Sequence, residues 1–297
     1  LVKVAVTGAS GLIGSALVPH LRGRGDEVIR LVRREPGQPD EVRWDPAAGE
    51  VDLLGLAGTE AVVHLAGAGV GDHRWTEEYK RQILDSRVDG TATIARAMAA
   101  LSPVPRVLVS GSAMGFYGDR GDELLNEQSA AGTGFLPDVV KGWEASADAA
   151  REAGIRVAHP RTSLVMSPRG GAFGRLLPLV RLGLGGPLGS GRQWWSWITL
   201  QDQVRAITFL IDNDVSGPVN LASPQPLPQR EIAAALGRVA HRPAVLPAPA
   251  FALRIALGEF AGDILASARL QPTVLTGAGF TFDHPQFDVA AAWVLQQ

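Results

Sequence analysis

The chain has 297 residues, 46% of them hydrophobic and 20% charged, with a formal net charge of −2. That is enough apolar material for a large core, in one large domain or two unequal ones, and it excludes a disordered chain. A near-neutral balance gives no bulk attraction to phosphate backbones or anionic lipid, so neither nucleic acid nor a membrane is expected as a partner, and any bound anion needs a local site.

No cysteine is present, which removes disulfides, thiolate zinc sites and cysteine nucleophiles and is compatible with a reducing cytoplasm, the expected location. The apolar stretches are short and interrupted by Gly, Pro or Arg, so none has the length of a membrane span. No signal peptide is expected ahead of a strand that begins near residue 1, although Leu1 is not Met and residues or a domain could precede it.

Short runs rich in Val and Leu alternate with segments of helical period, the pattern of parallel strands joined by crossover helices. Strands are predicted at Lys3–Val6, Glu27–Val32, Glu41–Trp44, Ala61–Leu65, Arg106–Ser110 and Arg156–Pro160, with helices near Gly11–Arg22, Thr76–Leu101 and Leu136–Ala153. The fold class is therefore α/β, a Rossmann doubly wound parallel sheet over residues 1–165. Beyond that the texture changes. Ser167–Gly191 is dense in Gly and Pro, then come Trp194, Trp195 and Trp197, a helix over Gln201–Ile211 and a strand at Pro218–Leu221. Helices follow at Gln229–Val239 and over Phe251–Leu270. Residues 166–297 thus read as a smaller substrate lobe, from which some elements could return to the sheet. The apolar Phe251–Leu257 stretch could form a homodimer surface or simply cover the core.

The strongest motif is Val4-Ala5-Val6-Thr7-Gly8-Ala9-Ser10-Gly11-Leu12-Ile13-Gly14, a strand running into G-x-x-G-x-x-G and a helix. Gly8 permits a sharp turn, Gly11 lets backbone N–H groups approach a pyrophosphate, and Gly14 lets the helix sit close to the sheet. The helix N-terminus adds free donors and a positive dipole end. Ser10, Leu12 and Ile13 fall in the same loop. At the end of the second strand stand Arg33 and Arg34, where an acid would accept a ribose 2′-OH and an arginine would pair with a 2′-phosphate. The expected cofactor is NADP(H), with NAD(H) less favoured, though the two arginines could also be solvated loop charges.

With His64-Leu65-Ala66-Gly67 after the fourth strand and Ser110-Gly111-Ser112 after the fifth, this loop resembles the extended short-chain dehydrogenase/reductases. Within them the chain is similar to a sugar-epimerase-like branch with a distinctive C-terminal domain. The stretches that carry this likeness include Asp85-Ser86-Arg87-Val88-Asp89-Gly90-Thr91, Gly115-Phe116-Tyr117-Gly118, Lys141-Gly142-Trp143-Glu144, Gly183–Gly191, Trp197-Ile198-Thr199 and Gly277-Ala278-Gly279-Phe280. The resemblance implies that Leu65, Ala66 and Gly67 pass beside the adenosine half of the cofactor and that Ser112 takes the place of the active-site Ser or Thr. A hydroxyl at the carboxyl end of a central strand lies where such folds bind ligands, although a Ser there can also simply cap the next segment. Arg87 stands where extended members usually carry Asn. It could grip a phosphate or carboxylate, or form a surface salt bridge.

The superfamily's proton chemistry rests on Tyr-x-x-x-Lys, and this chain has none: Ile83 follows Tyr79 and Gly121 follows Tyr117 at that spacing. With Glu144 aligned to the family's Trp-Glu, the two positions fall on Leu136 and Val140, neither of which moves a proton. Tyr117, Ser112 and Lys141 are the nearest candidates for the catalytic role. Six histidines show no His-x-x-x-His spacing, so no metal is expected. On the substrate side Gln193, Trp194 and Trp195 could line a pocket, while Trp197 reads as core and Asp202 as a helix cap. Two functions remain open: an NADP(H)-dependent oxidoreductase or epimerase-like enzyme acting on a small polar or sugar-like substrate, and a non-catalytic NADP(H)-binding sensor or regulator.

Overall fold

A computed structural model describes all of residues 1–297. Its centre is a nine-stranded sheet in the order Gly217–Leu221, Arg156–Thr162, Val107–Ser110, Ala61–His64, Lys3–Thr7, Glu27–Val32, Glu41–Asp45 and Glu50–Val51, with Ser112–Ala113 beside the far end of Arg156–Thr162. Every pairing is parallel except the terminal Glu41–Asp45/Glu50–Val51 hairpin. Alternation along the strands feeds both faces. Val4 and Val6 join Leu17, Leu21, Ile207 and Leu210 on one side. Ala5, Val62 and Leu108 join Ile94, Met98 and Ala150 on the other. The chain leaves Lys3–Thr7 toward one side of the sheet and returns on its other side at Ala61–His64, so a crevice opens at the carboxyl ends of these two strands.

The later chain does return to the sheet: Gly217–Leu221 is its edge strand, and the Leu200–Asp212 helix covers it. Glu127 blunts that edge, its Oε1 accepting the Asn220 N–H at 3.0 Å and the Val274 N–H at 3.2 Å. A separate apolar cluster joins Phe173, Leu177, Trp195, Trp197, Ile232, Leu236 and Phe287. No helix is long and apolar enough to cross a membrane.

Several boundaries differ from the sequence reading for local reasons. The first helix starts at Gly14, because the Gly11 N–H turns back to the Gly8 carbonyl. The helix expected over Leu136–Ala153 is two, Phe135–Ala145 and Asp148–Glu152, separated where the Ser146 hydroxyl bonds the Gly142 carbonyl at 2.7 Å. Phe251–Leu270 divides into Ala250–Leu257, Phe260–Leu265 and a short Arg269–Leu270 strand, the first break falling at Gly258 with φ +64°. Thr199, not Asp202, caps the Leu200–Asp212 helix. The buried Asp202 carboxylate instead accepts the N–H groups of Asp283 and His284, both at 2.9 Å, and ties down the tail.

Candidate functional site

The crevice is built from backbone. Gly8 has φ +66°, and a Cβ there would lie 2.8 Å from the Leu65 carbonyl carbon; a Cβ on Gly14 would collide with the Gly8 carbonyl oxygen. The helix after Gly14 has no side-chain cap and no acidic residue in its first turn; the N–H groups of Ser15 and Ala16 bond the Gly11 and Ile13 carbonyls, which leaves those of Leu12, Ile13 and Gly14, without a protein acceptor, for an anion. Ser10 and Gly11 are exposed, Ile13 is half-buried at the helix entry, and Leu12 lies against Gly170 and Gly171. Across the crevice the Thr7 hydroxyl accepts the N–H groups of Leu65 (3.1 Å) and Ala66 (3.2 Å) and sits 2.7 Å from His64 Nδ1. Burial lowers the pKa of His64 to about 4, so this ring is neutral. These features fit a dinucleotide phosphate.

Arg33 and Arg34 part ways. Arg34 forks onto the Glu41 carboxylate at 2.8 and 2.6 Å, an arrangement that holds Glu41 near pKa 2, whereas Arg33 is exposed and unpaired. The sequence reading treated them alike; Glu41 distinguishes them. Arg87 is half-buried with no carboxylate partner. Its Nη1 donates to the carbonyls of Ala68 (2.8 Å) and Ile83 (3.0 Å), and its guanidinium lies 4.9 Å from the Trp143 ring and against Gly67. Desolvation brings its pKa down to about 10, which leaves it cationic and without a protein anion to neutralise it.

Ser112 is buried at the same sheet edge and donates to Glu144 Oε1 at 2.7 Å. Arg161 grips that carboxylate through Nε (2.8 Å) and Nη2 (2.9 Å), while its Nη1 donates to the Tyr117 hydroxyl at 3.1 Å. Tyr117 in turn donates to Asn220 Oδ1 at 2.7 Å. Burial favours a protonated Glu144, but the bonds from Arg161 and Ser112 outweigh it and hold the carboxyl below its usual range.

This arrangement corrects several expectations. Tyr117 has no solvent exposure, sits among Leu125, Ala222 and Leu270, and is pushed up in pKa by burial, so its hydroxyl has no path to a cleft. Lys141 is exposed and pairs with Asp138 at 2.6 Å, while Glu144, one turn further along the same helix, is the residue that Ser112 bonds. Gln193 is buried, its amide donating to the Leu188 carbonyl. Trp195 is core against Phe173, whereas Trp197 is core against Phe287 as its sequence context suggested. Trp194 alone of the three is half-buried, its ring 4.2 Å from the Arg269 guanidinium and its Nε1 donating to Asp122.

The sequence reading missed Glu144 and Arg161. Arg161 falls just past the strand predicted at Arg156–Pro160, and had that strand been extended over it, a charge on a central strand would have been the signal, because such a charge is buried only with a partner.

The family profile described as the NAD dependent epimerase/dehydratase family matches residues 4–222, and a domain of unknown function matches residues 248–294. An epimerase family protein of Mycobacterium bovis is 43% identical over 95% of this chain and 93% of its own. Among solved structures, a human epimerase family protein crystallised with NADPH is 28% identical, covers 99% of both chains and has a TM-score of 0.90. A nucleoside-diphosphate sugar epimerase from Corynebacterium glutamicum is 35% identical with a TM-score of 0.81, the match covering 99% of this chain and 58% of that one. With this span of matched residues on an α/β Rossmann-like frame, the chain belongs to the NAD-dependent epimerase/dehydratase family.

Proposed function

We propose that the chain binds NADP(H) in the Gly8–Gly14 crevice and acts as an oxidoreductase or epimerase-like enzyme on a small polar or sugar-like substrate. The observation that carries this reading is the uncapped, acid-free helix N-terminus at the point where strand order reverses, with the unpaired Arg33 at the neighbouring strand end. The human relative bound to NADPH supports the choice of cofactor. Residues 8 and 10–14 would hold the pyrophosphate, Leu65, Ala66 and Gly67 would flank the adenosine, Arg33 would pair with the 2′-phosphate, and Arg87 would neutralise an anionic oxygen. Residues 1–165 would supply the cofactor half, and 166–297, less the elements returned to the sheet, the substrate side.

A bound nicotinamide supplies the hydride donor or acceptor. In this chain the substrate oxygen would meet Ser112. Because the Ser112 hydrogen is committed to Glu144, the free lone pairs of its Oγ accept a hydrogen bond from a substrate hydroxyl. As that proton moves to Oγ, the Ser112 proton moves to Glu144, and Arg161 restrains the carboxylate throughout. Calorimetric titration tests the cofactor half: NADPH is expected to bind at least about tenfold more tightly than NADH, the worth of one hydrogen bond to a charged group. Equal or tighter NADH binding overturns it. For the chemical half, Ser112→Ala is expected to lower turnover about 10²-fold in a screen of ketones, aldehydes and nucleotide sugars while NADPH affinity holds.

One observation favours the sensor reading instead. Around Ser112, Glu144 is shifted down, Tyr117 up, and His159 down to about 4 by burial, so none of these three titrates near neutrality. Tight NADPH binding with no turnover across that screen would make the sensor the better account.

A further inference from the structure

The Ala250–Leu257 helix, Ala-Phe-Ala-Leu-Arg-Ile-Ala-Leu, contains no buried residue. It therefore does not cover the core, as its composition would suggest. The segment leading into it runs beside the loop after the Gly171–Arg181 helix: the Gly189 N–H donates to the Ala248 carbonyl and the Ala248 N–H to the Pro187 carbonyl, both at 2.8 Å. On these two joined segments Leu182, Leu184, Val245, Leu246, Phe251 and Ile255 are between 51% and 76% exposed. An apolar concentration of this kind marks a surface that meets something other than water.

Charge identifies what it meets. Residues 172–192 contain Arg175, Arg181 and Arg192, residues 240–257 contain Arg242 and Arg254, and neither segment holds an Asp or Glu. Arg192 and Arg254 form no ion pair, and Arg242 and Arg181 contact only backbone carbonyls. A second copy of this chain docking about a twofold axis would set these arginines against themselves, because an isologous contact places the same patch on both sides. An uncharged apolar partner would desolvate them without compensation.

We propose that this surface docks peripherally on an anionic lipid bilayer, with Phe251, Ile255 and the neighbouring aliphatic side chains entering the interface and the arginines lying among the headgroup phosphates. The overall charge of −2 does not oppose this, since screening over about 8 Å at physiological salt leaves only the local charges to act, and Glu259, the acid just past the helix, is already paired with Lys80. A helix of eight residues lies in the interface plane and binds reversibly; it does not insert.

The test is co-sedimentation of the full chain with NADPH on vesicles of equal parts phosphatidylglycerol and phosphatidylcholine, and on phosphatidylcholine alone. Salt-sensitive binding to the anionic vesicles only is expected. Phe251→Ser/Ile255→Ser and, separately, Arg242→Glu/Arg254→Glu should each weaken it about tenfold or more. Both variants should keep the parent's circular dichroism and NADPH affinity, since all four altered side chains are exposed. No binding to anionic vesicles, or unchanged binding by both variants, overturns the proposal. So does a dimer in sedimentation velocity that Phe251→Ser/Ile255→Ser dissolves, which would assign the surface to a second copy.

Discussion

The crevice at Gly8–Gly14 and the cluster around Ser112 stand at the same edge of one sheet, yet they are made of different material. The crevice consists of backbone drawn close by missing side chains, with Leu65 and Ala66 held by one hydroxyl. The cluster consists of side chains, Ser112, Glu144, Arg161, Tyr117 and Asn220, brought from separate elements and locked in a single hydrogen-bonded chain. A site of the first kind is sensitive to added volume, and one of the second kind to a lost partner.

The sharpest way to break this contrast is Gly14→Ala. Its Cβ would collide with the Gly8 carbonyl, and backbone cannot yield as a flexible side chain does. Overpacking of this sort costs about 1–3 kcal/mol in stability, and the displaced loop should lose NADPH affinity by about 10²-fold or more. Calorimetry together with a urea midpoint measures both, and an unaffected affinity would mean that the crevice is not the cofactor site.

Next in size is Glu144→Leu, which leaves the buried Arg161 guanidinium without its anion. A loss of about 3 kcal/mol is expected by urea denaturation, with NADPH affinity little changed. A stability loss below about 1 kcal/mol would show the ion pair to be solvated.

A pH series probes both regions together. His64 at the crevice and His159 near Glu144 are each lowered to about 4 by burial, against 6.5 in an unfolded chain. Below pH 6.5 the unfolded state therefore takes up protons that the native state refuses. Stability should be full above that pH and fall as it drops toward 4, by about 2 kcal/mol for each histidine at pH 5. Replacing His159 by Phe should remove about half of the slope, and a flat profile between pH 7 and 5 would contradict burial of both rings.

Smaller still is the difference between the paired arginines. Arg33→Ala should reduce the preference for NADPH over NADH about tenfold, whereas Arg34→Ala, already committed to Glu41, should leave it nearly unchanged. The reverse order would exchange their roles. Tyr117→Phe closes the series: it orphans Asn220 Oδ1 and Arg161 Nη1, so stability should fall about 1–2 kcal/mol while any turnover persists. A large loss of turnover at unchanged stability would return Tyr117 to the chemistry.

The same contrast explains what the sequence could convey. The glycine loop, the strand alternation and the doubly wound sheet are local or periodic patterns and can be read along the chain. Tyr117 and Asn220 lie 103 residues apart, and nothing near either one announces the other. Glu144 was visible only as a marker of alignment. Trp195 misled for a different reason: a pocket wall and a core both call for large apolar rings, and only packing separates the buried Trp195 from the half-buried Trp194. Arg33 and Arg34 were indistinguishable until Glu41, from the next strand, chose one of them.

The Thr7 hydroxyl, which holds the Leu65 and Ala66 amides across the crevice, bears on the kinetics of ligand entry. Two strand ends stitched together in the protein itself have little backbone freedom left to lose when a dinucleotide arrives, so association should proceed at a rate set by encounter and not by loop ordering. The amides of Leu65 and Ala66 would then exchange their hydrogens slowly before any ligand is added, and hardly more slowly afterwards.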